Sequence, residues 1–240
     1  EFMVQSGSKR PEHTALRGNI LYRMDRFEDA AAALRAALEA SEEPNSSWQQ
    51  LLMASLAEME QPEEAARIAE DIVRRNPNDK SALMNLASIY VQADMTDKAA
   101  EVLADARGRG LLTEARDYQT LYRLYLNIEG KELAAVDIIK EGLERQILTP
   151  SHEVYNIMGQ AYYFSDKPAE AIEAYRQAVP YAENGETALN LARVLYNEDR
   201  FAEAISAART ALDKGGMRRP GDAWIIIGNS EFYGNDDRNA

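Results

Sequence analysis

The feature that most constrains this chain is a repeat. A small or apolar residue followed twelve positions later by alanine recurs along it: Gly18/Ala30, Met53/Ala65, Ala87/Ala99, Tyr122/Ala134, Gly159/Ala171, Ala192/Ala204 and Gly228/Ala240. Successive alanines stand 35, 34, 35, 37, 33 and 36 residues apart. A steady period of that length signals stacked supersecondary units, each too small to bury its own apolar face. Four and seven positions after the alanines come residues such as Leu34 and Ala37, Leu103 and Ala106, or Ala208 and Ala211. Those offsets line one face of a helix. Leu52, Leu86, Leu121, Met158, Leu191 and Ile227 precede the small position, and Leu21, Leu56, Tyr90, Tyr125, Tyr162 and Leu195 follow it by three. They mark a second helix in each unit.

The punctuation agrees. Asp25-Arg26-Phe27, Gln61-Pro62, Asp166-Lys167-Pro168 and Asp199-Arg200-Phe201 separate the two helices of their units. Pro62 and Pro168 sit where a second helix begins, a place where a missing N–H costs nothing. Pro44, Pro77, Pro150 and Pro220 fall between units, where a helix has to stop. The pattern predicts one array over 11–240, with repeats at about 11–44, 46–77, 80–112, 115–150, 152–183 and 185–217 and a partial seventh at 221–240. Glu1–Ser8 reads as a cloning scar, and residues 1–10 are expected outside the fold. Because Ala240 would open a second helix, the natural protein is expected to continue, with the Trp224–Tyr233 helix capping the sixth repeat here.

On these residues the chain resembles the tetratricopeptide-repeat proteins, over about Pro11 to Ala240. The resemblance implies an all-α solenoid, an α-α superhelix of antiparallel helix pairs whose first helices line a concave groove for a peptide or partner protein. Three departures stand out: Arg17 for an expected leucine, Tyr122 at a normally small position, and Glu141 where a small apolar residue belongs. An unpaired buried carboxylate is costly, so the helix register is expected to drift around Glu141.

Groove candidates are first-helix residues that point away from the packing face. They are Asn85 in the third repeat, and Arg116, Gln119, Arg123 and Asn127 in the fourth. The fifth supplies Asn156, Gln160 and Tyr163, and the sixth Asn190, Arg193 and Tyr196. Arg116, Arg123 and Arg193 admit two readings. They form a basic floor that grips ligand carboxylates bidentately, or they pair with carboxylates of the chain itself and remain solvated. Most of the tyrosines between Tyr118 and Tyr196 fall on packing positions, with Tyr163 and Tyr196 the expected exceptions. Some tetratricopeptide domains clamp the C-terminal carboxylate of heat-shock chaperones. Asn19 falls at one such place, but Ala15, Ser81 and Asn85 occupy the lysine places, which argues against that ligand.

Other function classes fare poorly. A formal net charge of -13 repels phosphate backbones and anionic lipid, so neither nucleic acid nor a membrane surface is an expected partner. No apolar stretch approaches the roughly 18–20 residues that span a bilayer. Without cysteine there are no disulfides or thiolate metal sites. His13 and His152 lie about four repeats apart, which leaves no metal or Ser–His constellation. Gly108–Leu112 lacks the Lys-Ser ending and preceding strand of a phosphate loop. The expectation is a protein that is not an enzyme, with no cofactor, no metal and no small-molecule substrate.

The later half is similar to a subgroup of bacterial tetratricopeptide proteins encoded beside TonB–ExbB–ExbD systems. The similarity lies in Lys214–Ala223 with Ile225–Gly228, in Gly110-Leu111-Leu112 leading into Tyr118–Tyr125, and in the long Ile147–Tyr155 connection. It implies a periplasmic adaptor that contacts a TonB-system component. A cytoplasmic adaptor in another assembly, or a structural protein whose repeats self-associate as a homo-oligomer, stands beside it.

Overall fold

The computed structural model describes residues 10–43 and 45–236, with side chains to 234. The expectations for Glu1–Ser8, Pro44 and Ala240 fall outside those residues. The described chain forms thirteen α-helices, one short 3-10 turn at Val179–Tyr181 and no strand. It divides into two compact units, Glu1–Leu112 and Thr113–Ala240.

Unit 1 holds α1 (Pro11–Arg23), α2 (Phe27–Glu39), α3 (Ser46–Glu58), α4 (Pro62–Arg75), α5 (Lys80–Gln92) and α6 (Thr96–Gly108). Unit 2 holds α7 (Ala115–Leu126), α8 (Glu132–Glu144), α9 (His152–Phe164), α10 (Pro168–Ala178), α11 (Glu186–Asn197), α12 (Phe201–Lys214) and α13 (Pro220–Asp236). Within each unit every helix packs on its sequence neighbours, and α3 also reaches α1, as α13 reaches α11. This is the all-α fold of antiparallel pairs that the period predicts.

The cores form where small residues let helices approach. Ala30, Ala65, Ala99, Ala171 and Ala204 are all buried. A Cβ at Gly18 would meet Leu34 Cγ at 2.7 Å, and one at Gly159 would meet Tyr175 Cδ1 at 2.7 Å. Arg17, in place of a leucine, stays exposed.

Five of the six pairs are joined by the same turn. Asp25, Glu60, Asp94, Asp166 and Asp199 adopt φ between 55 and 57°. The following amide reaches back to close the helix, as in Arg26 N to Leu21 O at 3.0 Å and Met95 N to Tyr90 O at 2.8 Å. This is the Schellman closure, which requires one left-handed residue. That residue always stands five positions before the packing alanine, so the turn fixes the phase of the next helix.

The fourth repeat corrects the sequence reading. Its left-handed residue is Gly130 (φ 75°), five before Ala135 and not Ala134. Ala135, Val136 and Ile139 are buried, whereas Ala134 is half-buried. The link between α7 and α8 runs from Asn127 to Lys131, longer than the three residues that join other pairs. Lys131 N bonds Ile128 O there in place of a closure onto α7. The displaced register puts Gly142 at the tight position, where a Cβ would meet Leu148 Cδ1 at 2.7 Å. Glu141 turns aside and accepts from Tyr118 Oη at 2.7 Å and Arg145 Nη1 at 2.9 Å. The expected drift is thus a one-residue shift of α8, which keeps the carboxylate hydrogen-bonded.

Candidate functional site

On unit 1 the first helices of three repeats, α1, α3 and α5, leave open space between them. One cavity of about 790 Å³ lies between α1 and α3, lined by Leu16, Asn19, Tyr22, Trp48, Leu51 and others. A second of about 480 Å³ lies between α3 and α5, lined by Ser46, Asn76, Ser81, Asn85 and Gln92. Both include Gln50 and Ala54, so they join into one trough. Small side chains at Ala54, Ala57 and Ala82 make the room.

The chemistry of the trough is unusual for so charged a protein. Among the described residues no Lys or Arg lines either cavity, and the carboxylates are Glu12 and Asp79. Asp79 is engaged as the N-cap of α5, where Oδ1 accepts from Ser81 N at 2.9 Å and Ala82 N at 3.2 Å. Ser46, Gln50, Asn76, Ser81, Asn85 and Gln92 bring amides and hydroxyls to the α3–α5 end, beside apolar side chains such as Met53, Ile72 and Ile89. Tyr22, Trp48 and Leu51 give the α1–α3 end an apolar body. Such a surface suits main-chain amides and uncharged side chains, and it offers nothing to grip an anionic tail.

Of the candidates chosen from sequence, Asn85 lies in this trough. Asn19 does too, at the repeat position that Gln160 and Arg193 occupy further on. Gln50, Tyr22 and Trp48 were missed. The signal for Gln50 and Tyr22 was available in the outward offsets used for later repeats, whereas Trp48 stands at an offset that those repeats did not use.

Unit 2 presents its candidates differently. Arg123 Nη2 donates to Glu153 Oε1 at 2.6 Å, and Tyr122 Oη donates to the same oxygen at 3.3 Å. The bond to Glu153 raises the pKa of Arg123 above its ordinary value. Burial, then the charge of Glu153, pushes that of Tyr122 up. Arg193 Nη2 donates to Asp222 Oδ2 at 2.7 Å, and its Nη1 to Asn190 Oδ1 at 3.1 Å. The basic floor is therefore not free charge: two of its three arginines are neutralised by carboxylates one repeat along. Arg35–Glu64 and Arg176–Glu203 tie α2 to α4 and α10 to α12 in the same way.

The other unit 2 candidates are surface residues. Arg116, Asn127 and Gln160 are exposed, and Gln119, Asn156 and Asn190 are half-buried. Tyr163 is exposed, edge-on to Phe164 at 5.7 Å, while Tyr196 is half-buried against Phe201 at 5.9 Å. Tyr118, Tyr122, Tyr162 and Tyr175 are core residues. His152 Nε2 lies 2.7 Å from Thr187 Oγ1, which binds the start of α9 to the start of α11. Among the described residues no group of three or more metal-ligating side chains gathers, and no helix is long and apolar enough to cross a membrane.

The residues that carry the TonB-type similarity build connections between repeats. Lys214 Nζ donates to Ala182 O at 2.8 Å, Gly185 N to Gly215 O at 2.7 Å, and Arg218 N to Glu186 Oε1 at 2.6 Å. Leu112 and Leu148 are buried, each just after a left-handed residue, Gly110 and Gln146.

Solved structures share this fold at low identity. MamA aligns over 70% of this chain and 91% of its own, at 19% identity and a TM-score of 0.55. YrrB, described as a tetratricopeptide protein with an unusual peptide-binding site, aligns over 71% and 86% at 19% identity and a TM-score of 0.52. The Naa15/Naa10 complex bound to HypK-THB aligns over 90% of this chain at 15% identity and a TM-score of 0.66, although only 36% of that chain is spanned. No curated protein matches the sequence. The tetratricopeptide-repeat models match residues 16–49, 56–122 and 158–223, more than half of the chain. With the helix pairs, the left-handed turns and the packing alanines already in place, the chain belongs to the tetratricopeptide-repeat family.

Proposed function

We propose that the chain is a non-catalytic scaffold whose unit 1 trough holds an extended segment of a partner protein. The observation that carries this is the joined pair of cavities, lined by amides and hydroxyls beside apolar side chains and, among the described residues, free of lysine and arginine. An extended segment exposes main-chain N–H and C=O groups at every residue, and Gln50, Asn85 and Gln92 offer matching donors and acceptors. A bulky apolar side chain of the segment would seat against Tyr22, Trp48 and Leu51. The fold shared with YrrB supports the reading, since that protein is described as having a peptide-binding site. The exposed unit 2 residues Arg116, Asn127, Gln160 and Tyr163, with the half-buried Gln119 and Asn156, offer a second contact surface, beside Arg123, Asn190, Arg193 and Tyr196.

The test is an array of unbiased twelve-residue peptides, followed by calorimetry on those captured. Captured sequences should be neutral or basic and carry one large apolar residue. Gln50→Leu with Asn85→Leu, which fills the trough, should weaken them at least about tenfold, near 1.4 kcal/mol. Capture dominated by acidic C-terminal tails, or unchanged by the double variant, overturns the reading.

A narrower reading, a periplasmic adaptor for TonB-dependent transport, rests on the sequence similarity of residues 110–125, 147–155 and 214–228. Its test is capture of a TonB-system component from periplasmic and membrane fractions. Capture of cytoplasmic proteins alone favours the cytoplasmic adaptor instead.

A further inference from the structure

Each end of the unit 1 trough carries a carboxylate. Glu12 lines the α1–α3 cavity and Asp79 the α3–α5 cavity, and both are exposed. Among the described residues no hydrogen bond or ion pair engages the Glu12 side chain. Asp79 caps α5, but both cap bonds fall on Oδ1, so its second oxygen stays available. A cleft lined by charge of one sign focuses its field on whatever enters.

The rest of the chain shows how a carboxylate at such a place is used. Glu12, Glu153 and Asp222 each stand six residues before the tight position of their first helix, at Gly18, Gly159 and Gly228. Glu153 accepts from Arg123 Nη2 at 2.6 Å and Asp222 from Arg193 Nη2 at 2.7 Å. Each arginine comes from the preceding repeat, directly after its tight position, Tyr122 or Ala192. In unit 1 the same places hold Asn19, Ala54 and Ser88, none of them a cation. The acceptor is therefore present at Glu12, and the first helices of unit 1 supply no guanidinium from the matching places.

We propose that the segment held in this trough is basic, with one cationic side chain for Glu12 and a second for Asp79. The proposal rests on the trough being the binding site, and it names what that site selects. Packed helices lie roughly 8–10 Å apart, and two such steps separate α1 from α5, on the order of 20 Å. An extended chain advances about 3.3 Å per residue, so the two cations stand about six residues apart. An even spacing puts both side chains on one face of the segment, turned toward the trough. Arginine is favoured over lysine at Glu12, because a guanidinium can meet both carboxylate oxygens.

Fluorescence anisotropy with the full chain and labelled twelve-residue peptides tests this. The reference probe has arginine at its third and ninth positions, phenylalanine at its fifth, and serine or asparagine elsewhere. It should bind, and changing either arginine to glutamine should weaken it about two- to fivefold, the range of exposed ion pairs. Phenylalanine seats at the α1–α3 end, so Glu12→Gln should cost as much against the reference probe and nothing against the probe lacking the third-position arginine. Asp79→Asn, which keeps the cap, should couple in the same way to the ninth-position arginine. A carboxylate with only a structural role would weaken every probe alike, and that result overturns the proposal. Neutral peptides that bind as well as the reference probe, and are lost with Gln50→Leu and Asn85→Leu, overturn it too and leave the trough reading standing. No capture of any peptide overturns both.

Discussion

Arg123 Nη2 and Glu153 Oε1 meet at 2.6 Å across the gap between the first helices of two successive repeats. Residues that look like a free basic surface in the sequence act instead as ties from one repeat to the next. The pair is largely exposed, at 58% and 50% of the two side chains, so the tie is weak. A double-mutant cycle with Arg123→Ala and Glu153→Ala should give a coupling of about 0.2–1 kcal/mol, shrinking as salt is added. The bidentate pair of Arg35 and Glu64 should give the larger value of the two, because its two bonds at 2.8 and 2.7 Å fix a better geometry.

The left-handed turns predict a gain from glycine. Glu60 holds φ of 55°, a conformation disfavoured for a residue with a Cβ. Replacing it with glycine should stabilise unit 1 by about 0.5–1 kcal/mol in urea unfolding. Gly130→Ala should do the reverse in unit 2, costing about 1 kcal/mol with no clash involved, since nothing lies within 4 Å.

Register in α8 is checked by two adjacent alanines. Ala135→Leu forces a large side chain into a buried site and should cost about 1–3 kcal/mol or more. Ala134→Leu, at a half-buried position, should cost less than about 1 kcal/mol. Equal costs would restore the twelve-residue spacing read from the sequence.

High pH should loosen both units. Burial and the bond to Glu70 at 2.7 Å push Tyr90 up to about 12, and burial pushes Tyr175 up to about 12. Between pH 10 and 12 the unfolded chain therefore releases these protons while the folded chain keeps them. Stability is full below pH 10 and falls as the pH rises through that window. Unfolding curves for Tyr90→Phe should show a shallower decline than the parent.

Much of the fold was legible because its marks are local. The spacing of Ala30, Ala65, Ala99, Ala171 and Ala204 reports a turn of fixed length, and a turn is written in a few adjacent residues. Ala134 misled because the Asn127–Lys131 link is longer, and two adjacent alanines both satisfied the pattern. The arginines stayed open between two readings for another reason. Whether Arg193 is free depends on Asp222, a partner one repeat away that no local pattern shows. Even so, an arginine with a carboxylate 27–30 residues on recurs at Arg35, Arg123, Arg176 and Arg193, so the period itself held the clue. The trough was hidden because its volume comes from small side chains at Ala54, Ala57 and Ala82, which carry no chemical signal of their own in the sequence.

Helices that touch only their neighbours have a consequence for how the chain is made. In each unit no helix waits for a partner further than the next helix but one. Low sequence separation favours fast closure, because little chain entropy is lost before contacts form. As a polypeptide leaves the ribosome at about 5–20 residues per second, each repeat needs only a few seconds of synthesis to meet its neighbour. Assembly can then keep pace with translation, and Gly18 has closed on Leu34 long before α13 exists.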